Sequence, residues 1–242
     1  MPASQQRLTV GDANMTAYLS IPDGDGPFPA VVVAHHAPGV DMFIREIVDH
    51  LARDGYVAAA PDLFHRITKE MVEQTGRSKR DQLSDPDTIE DVNATVDFLR
   101  SHESVDRDRL GITGFCMGGR VVWLAACTNP HFKAAVPFYG GNILVPWGAT
   151  ETAPFALAEG INCPMLFHFG EADSNPSADD MRTLDDELTR LGKEHRFYSY
   201  PGANHAFMNR FMPQRHHRTS AEMAWARTRE FLAEQLQPAP VG

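Results

Sequence analysis

The apolar positions of the chain fall into two alternating patterns. Short continuous apolar runs predict strands that are buried on both faces, whereas longer stretches with apolar residues three and four positions apart predict amphipathic helices. This alternation is typical of the α/β class, in which helices cover both faces of a mostly parallel sheet. The predicted strands lie at residues 30–34, 56–60, 109–113, 134–139, 164–169 and 195–200, and the predicted helices at residues 41–53, 88–102, 121–125, 178–191 and 220–236.

Residues 1–242 are predicted to form a single domain, because the chain contains neither an internal repeat nor a linker rich in proline or glycine. Residues 238–242 are expected to be a flexible tail. Two segments, residues 64–87 and 141–162, show no clear periodicity. Long loops in compact domains are often functional, so we expect both segments to border a pocket.

Composition and charge exclude several classes of protein. The net charge of −10 and the isoelectric point near 5.5 predict no nucleic-acid partner, because no basic surface is available to neutralise phosphates. No apolar run approaches the ~20 residues of a membrane span, and the N-terminus lacks the pattern of a secretory signal. Cys116, Cys127 and Cys163 show no paired spacing, which favours free thiols and a cytoplasmic location.

Residues 114–119 carry the most specific motif. Gly114 and Gly118 flank Cys116 in the pattern Gly-x-nucleophile-x-Gly, between a predicted strand and a predicted helix. Such a turn strains the backbone of the nucleophile, and the glycines avoid clashes that a Cβ atom would cause. The thiol then stands over a helix N-terminus, whose dipole favours the thiolate. We therefore predict Cys116 as a nucleophile, with the backbone N–H of Met117 as an oxyanion donor.

Two partners follow Cys116 in the order acid, then histidine, which is the order of the α/β-hydrolase fold. Asp173 follows the predicted strand at 164–169, and His205 follows the last predicted strand. His205 would take the thiol proton and later activate water, while Asp173 would orient the imidazole. Glu171 is a competing acid, but it lies nearer the strand.

No metal or cofactor site is predicted. His35 and His36 are neighbours on a strand, so their side chains would point to opposite faces. His205, His216 and His217 could converge, but the chain has neither an HExxH pattern nor the Cys/His ligand spacing of a zinc site.

The sequence resembles the dienelactone hydrolase (carboxymethylenebutenolidase) family from about residue 29 to residue 236. The matching segments are residues 61–63, 114–119, 167–170 with Asp173, and 202–207. The resemblance implies a monomeric, cofactor-free hydrolase of the α/β-hydrolase fold that acts on a small-molecule ester or lactone. It also implies a triad of Cys116, His205 and Asp173, and an oxyanion hole formed by the N–H groups of Ala37 and Met117.

One departure from the family lies beside the expected oxyanion hole. The family has a glutamate there that helps to deprotonate the cysteine, and this chain has His36. Histidine is neutral or cationic near pH 7, so His36 would tune the thiolate or contact the substrate in a different way. The alternative is that His36 only fills space. Tyr139, at the end of a predicted strand, is assigned to the same surroundings.

A second departure concerns the arginines that hold a substrate carboxylate in the family. The resemblance assigns the first of them to Arg80, with Arg77 as an alternative. The second position, after the predicted catalytic histidine, corresponds to Asn209, with Arg210 beside it. Recognition of a carboxylate is therefore only partly supported by the sequence.

These observations predict a cysteine hydrolase that cleaves an ester or lactone through a thioester acyl-enzyme. Two alternatives stay open. The first is a broad carboxylesterase or thioesterase unrelated to dienelactone. The second is a catalytically idle scaffold that binds a ligand, in which His36 has disabled thiolate formation.

Overall fold

The computed structural model describes residues 3–237, and the predicted tail at 238–242 lies outside them. The described strands are β1 (Ser4–Val10), β2 (Ala13–Ser20), β3 (Phe28–Ala34), β4 (Val57–Pro61), β5 (Val105–Phe115), β6 (Phe132–Phe138), β7 (Met165–Gly170) and β8 (His195–Tyr200). They form one sheet in the order β1-β2-β4-β3-β5-β6-β7-β8. Strands β3 to β8 run parallel, whereas β2 is antiparallel to both β1 and β4.

Helices cover both faces of this sheet. The described α-helices are α1 (Met42–Arg53), α2 (Lys69–Thr75), α3 (Asp85–Ser101), α4 (Met117–Thr128), α5 (Ala178–Arg190) and α6 (Arg218–Leu236). Apolar residues of α1 and α6 share one core cluster with the sheet, and those of α3, α4 and α5 share the cluster on the other face. The predicted α/β class with a mostly parallel sheet is thus confirmed. None of the helices described within residues 3–237 is long and apolar enough to cross a membrane.

The antiparallel hairpin of β1 and β2 is not among the elements predicted from the sequence. Leu8, Val10, Met15 and Ala17 are buried, while the residues between them in each strand are exposed. Residues 7–10 and 14–17 are therefore apolar only at every second position, and a search for continuous apolar runs does not find these strands. Gly11 turns the chain between the two strands with a φ of 55°.

Helix α3 begins earlier than its apolar periodicity indicates. Ser84 is its N-cap, and the Ser84 hydroxyl accepts a hydrogen bond from the N–H of Asp87 at 3.3 Å. The buried residue of the first turn is Asp85, a charged residue, so this turn lacks the apolar pattern that marks the rest of the helix. The two unassigned segments also contain short elements. The first contains α2 and a 3-10 helix at Arg80–Gln82, and the second contains a 3-10 helix at Pro154–Gly160.

Helix α4 touches the sheet most closely at Gly114 and Gly118. A Cβ atom on Gly114 would clash with the carbonyl group of Gly118, and one on Gly118 would clash with the carbonyl groups of Ala34 and His35. These obstacles belong to the backbone, so only a displacement of α4 from β3 and β5 could relieve them. The two glycines therefore set the position of Cys116 above the sheet.

The substitution Gly118→Ala is expected to lower the free energy of unfolding by about 3 kcal/mol or more, because α4 must move away from the sheet. Urea denaturation measures the change. The control is Gly192→Ala, where a Cβ atom meets nothing within 4 Å and only the φ of 64° strains the backbone. That strain costs about 1 kcal/mol. Equal effects of the two substitutions would contradict the packing argument.

Candidate active site

Cys116 lies at the sharp turn between β5 and α4. Its backbone angles are φ 58° and ψ −119°, a strained combination for a residue with a Cβ atom. Its N–H donates to the carbonyl oxygen of Phe138 at 3.1 Å, and its carbonyl oxygen accepts from the N–H of Gly119 at 2.9 Å. Strand β6 and helix α4 thus hold the strained residue, and Cys116 lines a cavity at the carboxyl edge of the sheet.

His205 and Asp173 come from the loops that follow β8 and β7. The Nδ1 atom of His205 lies 2.7 Å from Oδ2 of Asp173, whose side chain is 3% exposed. The other carboxylate oxygen of Asp173 accepts a hydrogen bond from the N–H of Asn175 at 2.9 Å. Glu171, the competing acid, instead accepts a hydrogen bond from the Ser199 hydroxyl at 2.9 Å. Asp173 is therefore the carboxylate that contacts His205.

Cys116 and His205 line the same cavity, and each side chain shifts the pKa of the other. Burial alone would raise the pKa of the Cys116 thiol, but the hydrogen bond and the charge of His205 outweigh burial and lower that pKa. Burial would likewise lower the pKa of His205, yet the hydrogen bonds with Asp173 and Cys116, and their charges, raise it to about 9. These opposite shifts favour a thiolate–imidazolium pair near neutral pH.

Two backbone N–H groups face the Cys116 sulfur. They belong to Met117, the first residue of α4, and to Ala37, in the turn after β3, and both help to lower the pKa of the thiol. The turn is closed by a hydrogen bond from the N–H of Gly39 to the carbonyl oxygen of His36 at 2.9 Å. Two N–H groups that converge beside a nucleophile can stabilise the negative charge of an oxyanion.

Cys116, Asp173 and His205 line a largely polar cavity of about 470 Å³. The segments 64–87 and 141–162 both contribute to its wall, in agreement with the expectation from their lack of periodicity. The other lining residues are Arg80, Met117, Gly141, Asn142, Trp147, Ser174, Asn175, Asn204, Gln214 and Arg215. We refer to this space as the Cys116 cavity.

Two arginines belong to the wall of the Cys116 cavity, and only one of them was expected. Arg80 lines it and bonds to the carboxylate of Asp81 at 2.6 Å, whereas Arg77 bonds to the carbonyl oxygen of Asp81 and does not line it. Arg215 is not among the site residues predicted from the sequence. Within residues 3–237 it forms no ion pair with a carboxylate. The sequence feature that could have indicated Arg215 is its position as a basic residue in the loop between His205 and α6.

Asn209 and Arg210 do not line the Cys116 cavity. Asn209 is buried, and its side-chain oxygen accepts a hydrogen bond from the N–H of Phe211 at 2.9 Å. Arg210 points to α1, where its Nε lies 2.7 Å from a carboxylate oxygen of Glu46. The structure therefore presents Arg215, and neither of these two residues, as the second cation at the cavity.

His36 and Tyr139 are buried and also lie outside the lining of the Cys116 cavity. The Nε2 atom of His36 lies 2.9 Å from a carboxylate oxygen of Asp41, the N-cap of α1, so its imidazole pairs with that helix terminus. The Tyr139 ring stands edge-on to the imidazole of His205, with centroids 5.2 Å apart. Burial and the neighbouring charges raise the pKa of Tyr139, so its hydroxyl stays protonated.

Arg120, in the second turn of α4, is fully buried and paired with the carboxylate of Asp85. Its two terminal nitrogens bond to the two carboxylate oxygens at 2.5 and 3.0 Å. Its other hydrogen bonds go to the carbonyl oxygens of Asn142 at 3.0 Å and Val145 at 2.7 Å. The guanidinium also lies over the ring of Trp147, 3.8 Å from its centroid.

The Arg120–Asp85 pair joins two walls of the Cys116 cavity. The N–H of Trp147 donates to Asp85 Oδ2, and the N–H of Asp85 donates to the carbonyl oxygen of Trp147, each at 3.0 Å. Asp85 begins α3 shortly after Arg80 in the chain. One buried ion pair thus ties the wall that carries Arg80 to the wall that carries Trp147.

The described residues 3–237 contain no group of three or more His, Cys, Asp and Glu side chains arranged to hold a metal ion. His35 is a structural residue. Its Nδ1 bonds to the carbonyl oxygen of His36 at 2.7 Å, and its Nε2 accepts a hydrogen bond from the N–H of Leu63 at 3.1 Å. Burial lowers the pKa of His35 to about 4, so it is neutral near pH 7.

Comparison with known proteins identifies the family. The model of the dienelactone hydrolase family matches residues 15–236. A Synechocystis protein named "Putative carboxymethylenebutenolidase" is 31% identical over 95% of this chain and 96% of its own length. A Bradyrhizobium protein named "Probable 2-oxo-3-(5-oxofuran-2-ylidene)propanoate lactonase" is 31% identical over 94% of this chain and 92% of its own. The crystal structure of a "Putative Dienelactone Hydrolase" from Klebsiella pneumoniae has a TM-score of 0.84 at 29% identity, covering 96% of this chain and 98% of that one.

Alkylation by iodoacetamide at pH 7 is expected to modify Cys116 first, because its pKa is lowered, whereas burial raises the pKa of Cys127 and raises that of Cys163 to about 12. Mass spectrometry locates the label, and the rate is followed from pH 5 to pH 10. In Asp173→Asn the pKa of His205 falls, so the rate profile should move to higher pH. Label distributed equally over the three thiols, or a Cys116 profile centred near the ordinary value of about 8.5, would contradict this prediction.

Asp85→Asn is expected to lower the free energy of unfolding by about 3 to 5 kcal/mol, because Arg120 would stay buried without a countercharge. Urea denaturation measures the change. The matched control is Glu234→Gln, which breaks a two-bond pair with Arg196 on the surface and should leave stability nearly unchanged. A comparable loss of unfolding free energy in both variants would show that the effect of Asp85→Asn does not come from the burial of the Arg120–Asp85 pair.

Proposed function

The chain belongs to the dienelactone hydrolase family, and on this premise we propose that it cleaves a small carboxylic ester or lactone with Cys116 as the nucleophile. His205 serves as the base, Asp173 orients its imidazole, and the N–H groups of Ala37 and Met117 form the oxyanion hole. One observation carries the proposal: the His205 imidazole and these two N–H groups all converge on a single sulfur whose pKa is lowered.

In the first step the Cys116 thiolate attacks the carbonyl carbon of the substrate. A C–S bond forms, and the carbonyl oxygen becomes an oxyanion that accepts hydrogen bonds from Ala37 and Met117. When the oxyanion collapses, the C–O bond to the leaving group breaks, and the His205 imidazolium gives its proton to the departing alkoxide or enolate. The acyl group is then held on Cys116 as a thioester.

In the second step neutral His205 takes a proton from water while the water oxygen attacks the thioester carbon. The new oxyanion collapses, the C–S bond breaks, and the carboxylic acid leaves, with the thiolate–imidazolium pair restored. Asp173 stabilises the imidazolium in both steps. Substrates with good leaving groups suit this chemistry best, because a poor leaving group would lose to expulsion of the thiolate.

The charges of the Cys116 cavity support a substrate that carries a carboxylate. Arg80 and Arg215 line this cavity in a chain whose net charge is −10. The Bradyrhizobium relative described above is named for a lactone that bears a propanoate group. A broad carboxylesterase or thioesterase would not need two arginines at this place. The lowered pKa of Cys116 also argues against a catalytically idle scaffold.

We assign this hydrolase to the cytoplasm, as a single-domain monomer that needs no cofactor. The cysteines of the described chain, Cys116, Cys127 and Cys163, are free thiols, which supports a reducing compartment. The single continuous sheet supports one domain.

Cys116→Ala is expected to lower kcat/KM for 4-nitrophenyl acetate by roughly a thousandfold or more, because no thioester can form. In the unsubstituted enzyme, rapid acid quenching and mass spectrometry should find an acyl group on the peptide that contains Cys116. The control is Cys127→Ala, which removes a thiol outside the cavity and should leave the rate unchanged. Full activity of Cys116→Ala would refute the assignment of the nucleophile.

A further inference from the structure

A second cavity, of about 550 Å³, borders the turn that carries Ala37. Cys116 does not line it, and Ala37 does not line the Cys116 cavity. The two spaces nevertheless adjoin the same reaction centre, since the Ala37 N–H faces the Cys116 sulfur. They are also neighbours along the chain, because Lys79 lines the second cavity and Arg80 lines the Cys116 cavity.

The second cavity carries two cations that have no carboxylate partner. The Arg45 guanidinium lies 5.3 Å from the ring centroid of Tyr18, and the Lys79 ammonium lies 5.7 Å from that of Phe64. Neither cation forms an ion pair with a carboxylate within residues 3–237. Arg45 is held in place by a hydrogen bond from its Nε to the carbonyl oxygen of Val40 at 3.2 Å. Both cations are thus available to an anion in the cavity.

One carboxylate, that of Asp62, lines the second cavity, and among the described residues it forms no ion pair with Arg45 or Lys79. The Asp62 side chain accepts a hydrogen bond from the N–H of Phe64 at 3.0 Å. Its Oδ1 also lies 4.0 Å from Nε2 of the buried His35. The nearby carboxylate of Asp49 accepts a hydrogen bond from the Tyr18 hydroxyl at 3.3 Å and does not line the cavity. The lining therefore keeps a net positive charge.

The position of the two cavities matches the shape of an ester. When a carbonyl carbon is attacked at Cys116 and its oxygen points to Ala37 and Met117, the acyl substituent and the leaving group extend in different directions. The Cys116 cavity, with Arg80 and Arg215, receives one of them. The second cavity lies beyond the Ala37 turn, next to the oxyanion donors, and would receive the other substituent.

We propose that the second cavity is a substrate subsite for an acidic group, held by Arg45 and Lys79. The preferred substrates would then be esters or lactones that carry an acidic group on each side of the scissile bond. This inference rests on the proposed hydrolase function and extends it to a class of dianionic substrates. Unpaired cations on both sides of Cys116, in a chain of net charge −10, also draw such substrates to the site by long-range attraction.

The test uses four esters. They are phenyl acetate, mono-phenyl succinate with an acid on the acyl side, 4-acetoxybenzoate with an acid on the leaving side, and succinic acid mono-(4-carboxyphenyl) ester with both. For each ester, kcat/KM of Arg45→Gln, Lys79→Gln and Arg215→Gln is divided by that of the unsubstituted enzyme, so differences in leaving-group reactivity cancel. Circular dichroism and thermal unfolding verify that each variant is folded.

Arg45→Gln and Lys79→Gln should each lower kcat/KM about five- to tenfold for esters with an acid on one side of the scissile bond. Arg215→Gln should do the same for esters with an acid on the other side. The ester with two acids should respond to all three variants and phenyl acetate to none. The control is Lys69→Gln, which removes an exposed cation of α2 paired with Glu73 and should change no ratio.

The proposal is overturned if Arg45→Gln and Lys79→Gln change all four rates alike, if they change none, or if they act on the same side as Arg215→Gln. Calorimetric binding of the two-acid ester to Cys116→Ala separates this proposal from the proposed function. In the Cys116→Ala background, weaker binding after Lys79→Gln supports the subsite. This holds even if Cys116→Ala retains full esterase activity, a result that would refute Cys116 as the nucleophile. Unchanged binding removes the subsite and leaves the hydrolase function in place.

Discussion

Gly114 and Gly118 allow the backbone of α4 to touch the backbones of β3 and β5, and the candidate site is built outward from this contact. Gly118 packs against the carbonyl groups of Ala34 and His35, which lead directly into the turn that carries Ala37. The same contact therefore determines where both N–H groups stand relative to the Cys116 sulfur. Any increase in the separation of α4 and β3 would move these two donors apart. The strained backbone of Cys116 is tolerated because its neighbours on both sides are held.

The sequence alone was sufficient to predict the features that depend on the local pattern of residues and on their order along the chain. Strands that are buried on both faces, such as β3 and β4, are apolar at nearly every position, so they could be found from continuous runs. The thiol, the carboxylate and the imidazole of Cys116, Asp173 and His205 meet because each follows the carboxyl end of a parallel strand, and those ends share one edge. The family resemblance rested on the same short segments, and the comparisons confirm it.

Features that depend on contacts between distant segments could not be predicted. Asp85 and Arg120 are separated by a whole helix and strand, and each one resembles a solvated charge when only its own segment is considered. The direction in which a side chain points could not be predicted from the sequence either. His36 precedes the oxyanion turn, yet its imidazole pairs with Asp41 at the start of α1. Arg215 lies in a loop without periodicity, so only the folded chain shows that it reaches the cavity.

The Arg120–Asp85 pair also limits how this pocket can diversify in evolution. Its hydrogen bonds and its stacking on Trp147 connect three segments of the chain. A substitution in any one of these segments therefore affects the other two. Single substitutions there lose stability before they can gain a new preference. Gln214 and Arg215 line the same cavity without belonging to that network. Divergence in substrate range among relatives of this chain is therefore most accessible in the loop that leads into α6.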